Sequence, residues 1–359
     1  ERIGKLLGSA ICFFLAAAVL MSVVLIIFAR PLAMLMQAPE EAVDLTVLYI
    51  RICGAGYIFV VFYNFISCIF RGLGDSSLPL IFVAIACVTN IAGDLLLVAG
   101  FHMNVAGAAI ATIFAQAVSV ILSLAIIRRK KLPFTVTRAD LQFSDEVGKF
   151  VSLGAPLVLQ EFLTSMTFLA LNAFINRLGL DCSSGYGVAQ KIQSFVMLLP
   201  SSLMQSMAPF VAQNVGAGKE KRADSGMLWG MGIGSAIGVV IMIVTYFRGD
   251  LLAGLFSTDP AVVQRAFEYL RGFSPEAVVT CILFSFMGYF NGHGQSLFVM
   301  LQSLAQSFFV RLPMSWFMST RPDASLTMIG LAAPTATVFG ILICWIYYRK
   351  RKDRPFCGC

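Results

Sequence analysis

Ten long apolar runs constrain this chain before any other feature does. They occupy residues 6–28, 47–69, 78–98, 106–127, 151–175, 187–212, 225–247, 267–289, 296–318 and 327–348. A helix needs about 20 mainly apolar residues to cross the hydrocarbon core of a bilayer. Charged residues make up only 13% of the chain, against about 25% in soluble domains, so the solvent for most of its surface is lipid. Strands of a membrane barrel would alternate apolar and polar residues. Runs such as "AICFFLAAAVLMSVVLIIFA" are apolar at all but one position. The fold class is therefore all-α, a polytopic membrane protein with ten helices.

The loop charges give an orientation. With an even number of spans both ends share a side. That side carries Arg2 and Lys5, the run Arg128 to Lys131 with Arg138 and Lys149, then Lys219, Lys221 and Arg222, and Arg349 to Lys352 with Arg354. The other side has only scattered arginines: Arg30, Arg177, Arg248, Arg265 and Arg321. The positive-inside rule places both termini in the cytoplasm. The net charge of +7 thus reflects topology, and no nucleic-acid partner is expected. Six of the nine cysteines lie in apolar runs and read as small buried thiols. Cys357 and Cys359 do not form a prenylation box.

An internal repeat organises the chain. Sliding the sequence by 220 residues lays "FRGLGDSSLPL" (70–80) over "FNGHGQSLFVM" (290–300), and Tyr49 and Arg51 over Tyr269 and Arg271. The flanking helices stay in register, as expected for a transporter built by duplication. The expected organisation is an N-terminal lobe of four helices over 1–127 and a cytoplasmic linker over 128–150. A C-terminal lobe of six helices over 151–348 and a basic tail over 349–359 follow. Six against four implies two further helices before the first residue, hence a twelve-helix, two-lobe protein.

These strings, with "NIAGD" (90–94), "VAGAAIATIFAQ" (105–116), "GAPLVLQEF" (154–162), "AQKI" (189–192) and "PFVAQNVGAGKEKRA" (209–223), resemble the MATE (multidrug and toxic compound extrusion) transporters. The resemblance runs along essentially the whole chain and is nearest to the DinF-like bacterial branch. It implies a secondary active transporter of the bacterial cytoplasmic membrane that exports organic, mainly cationic, compounds by antiport with Na+ or H+. Its partners are then small-molecule substrates and membrane lipids, with no obligatory protein partner and no cofactor beyond the coupling ion.

Ionisable groups at membrane depth cost several kcal/mol and mark function by default. Five qualify: Asp94, Glu161, Lys191, Glu276 and Arg311. Asp94 and Asn90 form an i, i+4 pair, roughly 6 and 12 Å below the outer end of their helix, and Thr112 lies roughly 9 Å below the outer end of the next. Carboxylate, amide and hydroxyl oxygens suit Na+, and a desolvated carboxylate suits H+. A polar pair that only glues helices together is the structural alternative. The resemblance makes Asp94, Asn90 and Thr112 the cation site and adds Tyr49. Glu161 and Glu276, with Gln160 nearby, reach the midplane of the second lobe, and serve either as coupling acids or as structural glutamates. Lys191 and Arg311 lie within snorkelling distance of an interface or neutralise a carboxylate.

No Walker loop, HExxH or Gly-x-Ser-x-Gly is present, so the chain is expected not to be an enzyme. Two alternatives stand beside the exporter: a lipid-linked oligosaccharide flippase of the same superfamily, and a truncated, non-transporting remnant.

Overall fold

The computed structural model describes residues 2–35, 42–75, 77–129, 140–143, 146–321 and 324–352. Lys130, Lys131 and Arg138 of the basic linker run lie outside these residues, as do Arg354, Cys357 and Cys359 of the tail. Among the described residues the regular structure is entirely helical. A backbone in hydrocarbon has no water to satisfy it, and a helix closes its hydrogen bonds internally. The chain divides into two compact units, Glu1–Val151 and Ser152–Cys359.

The first unit contains α1 (Arg2–Ile27), α2 (Ala29–Leu35), α3 (Val43–Ala55), α4 (Tyr57–Gly72), α5 (Ser77–Asp94) and α6 (Asn104–Arg129). A π-helical segment, Leu95–Gly100, extends α5. The boundary between the units falls within α7 (Glu146–Asn176). The second unit continues with α8 (Leu180–Val196), α9 (Leu198–Gly216), α10 (Glu220–Gly254), α11 (Pro260–Phe273) and α12 (Glu276–Gly292). After these come α13 (Ser296–Gln306), a π-helical segment (Ser307–Arg311), α14 (Leu312–Ser319) and α15 (Leu326–Lys352). Eight segments are long and apolar enough to cross a membrane, or ten if each of two bent helix pairs is one span. Every apolar run of the sequence coincides with one of these ten.

The two bent spans are repeat mates. α3 and α4 meet at 50° around Gly56, and α11 and α12 meet at 49° around Ser274 and Pro275. Pro275 has no N–H to donate, so one backbone hydrogen bond is missing at the second break. The turns that follow also match. Gly74 and Gly294, 220 positions apart, have φ of 85° and 72°. Asp75 N donates to Phe70 O (3.0 Å), and Gln295 N to Phe290 O (2.9 Å). Glycine satisfies the last helix carbonyls here by taking a left-handed conformation at little cost. The turn after α4 is thus a helix cap, and Asp75 Oδ1 accepts from Leu78 N to start α5 (3.3 Å).

Inside the second unit, one apolar cluster gathers Tyr186, Tyr269, Phe273 and Ile329, and another gathers Val211, Met227, Leu283 and Phe290. α11 and α15 approach backbone to backbone: a side chain on Gly272 would meet Thr327 O, and one on Gly330 would meet Tyr269 O. Small residues allow this closeness where lipid supplies no hydrophobic drive between helices. At the end of α12, Tyr289 donates to Asp224 Oδ1 of α10 at 2.8 Å.

The two kinds of glycine respond differently to alanine. Gly294→Ala has room for its Cβ, with Leu153 Cδ2 3.9 Å away, so only left-handed strain of about 1 kcal/mol opposes it. Gly272→Ala forces two backbones apart and should cost more, about 1–3 kcal/mol. Thermal unfolding in detergent should show Gly272→Ala below Gly294→Ala, and both below wild type.

Candidate functional site

Polar side chains gather at one place in each unit. In the first, Asp94 is the last residue of α5 and adjoins the π-helical segment, a feature frequent at functional sites. Its Oδ1 is buried without a hydrogen-bond partner. Asn90, one turn earlier, donates through Nδ2 to Thr112 Oγ1 of α6 (3.4 Å), and Thr112 in turn donates to Ala108 O (2.9 Å). The Tyr49 hydroxyl, from α3, interacts with the side chains of Thr112 and Cys53 and lies within electrostatic reach of Asp94. Three helices therefore bring together all four residues expected there, and Cys53 joins them. No group of three or more His, Cys, Asp or Glu occurs among the described residues. One carboxylate with neutral oxygens around it suits a proton or a hard monovalent ion rather than a carboxylate-rich divalent site.

In the second unit, a cavity of about 670 Å³ opens among α7, α8, α9, α12, α13 and α15. Glu276 opens α12 immediately after the Pro275 break and is only 5% exposed. Thr337 Oγ1 of α15 donates to its Oε1 at 2.8 Å, while Oε2 is buried without a partner. A carboxylate at a helix N-terminus is also favoured by the helix dipole. Glu161 and Gln160 reach the same cavity from α7. Arg311 ends the second π-helical segment, with its guanidinium carbon 4.6 Å from the Phe168 ring centre. It and Glu276 attract each other without an ion pair. Gln193, 6% exposed, and Gln302, 2% exposed, each bury an unpartnered amide oxygen, although Gln302 donates to Gln306 Oε1 (2.9 Å).

Four of the five second-unit candidates thus line one cavity. The fifth, Lys191, is an exposed residue of α8 whose Nζ lies 5.8 Å from the Phe256 ring centre, away from the cavity wall. Thr280, Thr337, Gln190, Gln193 and Gln205 also line it and were not singled out from the sequence. The signal for the glutamines is the i, i+3 spacing of Gln190 and Gln193 in an apolar run, and the threonines carry none. The cavity contrasts with the groove between α1 and α4, about 570 Å³ and walled by residues such as Phe14, Met21, Tyr57 and Phe65. The one amide in that groove, Asn64, donates to Val60 O of its own helix (2.8 Å).

A chain of eight to ten apolar helices that keeps carboxylates, amides and a guanidinium inside its units is a multi-pass membrane protein. The MatE family profile matches residues 1–96 and 156–317. The chain belongs to the MATE family, which comprises transporters, and it is not an enzyme. It is 29% identical over 316 residues to the probable multidrug resistance protein YpnP of Bacillus subtilis, covering 88% of this chain and 70% of that one. Against the FAD transporter of Shewanella oneidensis it is 28% identical over 284 residues, 73% of this chain and 62% of the relative. A MOP-superfamily transporter from Pyrococcus furiosus shares the fold with a TM-score of 0.91 at 17% identity, over 97% of this chain and 79% of that structure.

The Thr337–Glu276 hydrogen bond is the cheapest test of the second cluster. Thr337→Val removes the donor and leaves a buried carboxylate oxygen bare, a loss of about 1–3 kcal/mol. Unfolding in detergent should shift down for Thr337→Val and recover for Thr337→Ser.

Proposed function

We propose that this protein exports organic solutes across the bacterial cytoplasmic membrane by antiport with Na+ or H+, through alternating access of its two lobes. The observation that carries the reading is Asp94, a carboxylate in an apolar helix bundle with a buried, unpartnered oxygen beside Asn90, Thr112 and Tyr49. An ion or proton there would satisfy that oxygen, and through its different affinity for two conformations would shift the balance between them. The names of the relatives, multidrug resistance protein and FAD transporter, support an organic cargo. Two carboxylates and one guanidinium at the second cavity favour a solute with a cationic centre over a lipid-linked pyrophosphate. The loop lysines and arginines support cytoplasmic termini.

Reconstituted vesicles loaded with ethidium test the coupling. Asp94→Asn should abolish efflux driven by a Na+ or H+ gradient, and Thr112→Val should slow it by about tenfold, the worth of one interaction of 1.4 kcal/mol. Undiminished gradient-driven efflux by Asp94→Asn overturns the proposal.

A further inference from the structure

The exporter scheme counts Arg311 as one charge of the second cavity and gives its guanidinium no partner. Its Nε and Nη2 are buried and have no hydrogen-bond partner. Those two atoms form the side-on edge of the guanidinium, the edge that pairs with both oxygens of a carboxylate through parallel hydrogen bonds. The Phe168 ring backs the cation, its centre 4.6 Å from the guanidinium carbon. A buried cation without a partner is costly, and a fold that keeps one normally pairs it. Glu276 does not pair with it: it directs Oε1 to Thr337 and attracts Arg311 only at a distance.

The surroundings describe a ligand as well as a charge. Arg311 lines the same cavity of about 670 Å³ as Phe284, Met204 and Met287, which offer apolar and polarisable surface for a ring system. The amides of Gln193 and Gln306 line it too and can contact flanking polar groups. Glu161 carries the opposite charge in that cavity. The repeat mate of Arg311 is Ile91, so the guanidinium belongs to the second unit alone.

We infer that the second-unit cavity is a binding site for organic acids with an aromatic body, in which Arg311 supplies the cation that pairs with the carboxylate. A solute carrying both a carboxylate and a cationic centre would meet Arg311 and Glu161 together. Only the step from binding to export rests on the exporter reading, and the site itself is independent of it.

Equilibrium dialysis of the full chain in detergent, corrected with protein-free micelles, tests the site with 2-naphthoate and its uncharged isostere 2-naphthamide. Wild type should bind the acid at least about tenfold more tightly, the worth of a hydrogen-bonded charge. Arg311→Gln should reduce acid affinity by about 10- to 100-fold and leave the amide unchanged. Arg311→Lys keeps the charge but loses the guanidinium edge and should fall between them, which preserves the test if Arg311→Gln does not fold. Equal affinities in wild type, or an acid preference that survives Arg311→Gln, overturn the inference. So does a preference that emerges only in Glu276→Gln, because Glu276 would then be neutralising Arg311. Normal acid binding together with absent gradient-driven export would contradict the exporter reading and leave the site standing.

Discussion

A helix in hydrocarbon satisfies its own backbone and asks nothing of its neighbours, so in this protein the side chains decide where chemistry happens. Each buried polar atom needs a partner or carries a cost of order 1–3 kcal/mol. Several polar side chains here are satisfied within one turn, as when Thr167 donates to Leu163 O or Asn172 to Phe168 O. Some of the groups that escape this local solution stand at two places singled out above: Asp94, and the cavity lined by Gln160, Gln193, Glu276 and Arg311.

The two units share a scaffold and differ in what it holds. The bends at Gly56 and Pro275 and the left-handed turns at Gly74 and Gly294 are common to both. Tyr49 and Tyr269 are repeat mates as well. Yet Asp94 and Asn90 correspond to Met314 and Val310, and Glu276 and Arg311 correspond to Gly56 and Ile91. The first scaffold presents a lone carboxylate among neutral oxygens, suited to a small cation. The second presents both signs of charge around a space large enough for an organic molecule. In the proposed scheme, these substitutions on one backbone plan would divide the labour between ion and solute.

Much of this was legible in the sequence because its period is coarse. Runs of apolar residues marked every span, and the Gly-rich repeat marked both helix caps. The i, i+4 spacing of Asn90 and Asp94 placed them on one face, where Thr112 meets them. Direction around a helix was harder to read. Arg311 has a known depth, but it closes a π-helical segment, which changes the winding and therefore the face it takes. Lys191 follows Gln190 by one residue, which turns it about 100° around the helix, while Gln193 stays on the cavity side. Thr337 carried no signal at all, since a lone threonine in an apolar run usually bonds its own backbone.

The central claim is that Asp94, and not Glu276, is the carboxylate that responds to the coupling ion. Infrared difference spectroscopy of the purified protein, recorded on addition of Na+ and on a change of pH, reads carboxyl stretching bands directly. The ion-dependent carboxyl band should disappear in Asp94→Asn and persist in Glu276→Gln. A band that survives Asp94→Asn, or vanishes only in Glu276→Gln, contradicts the account.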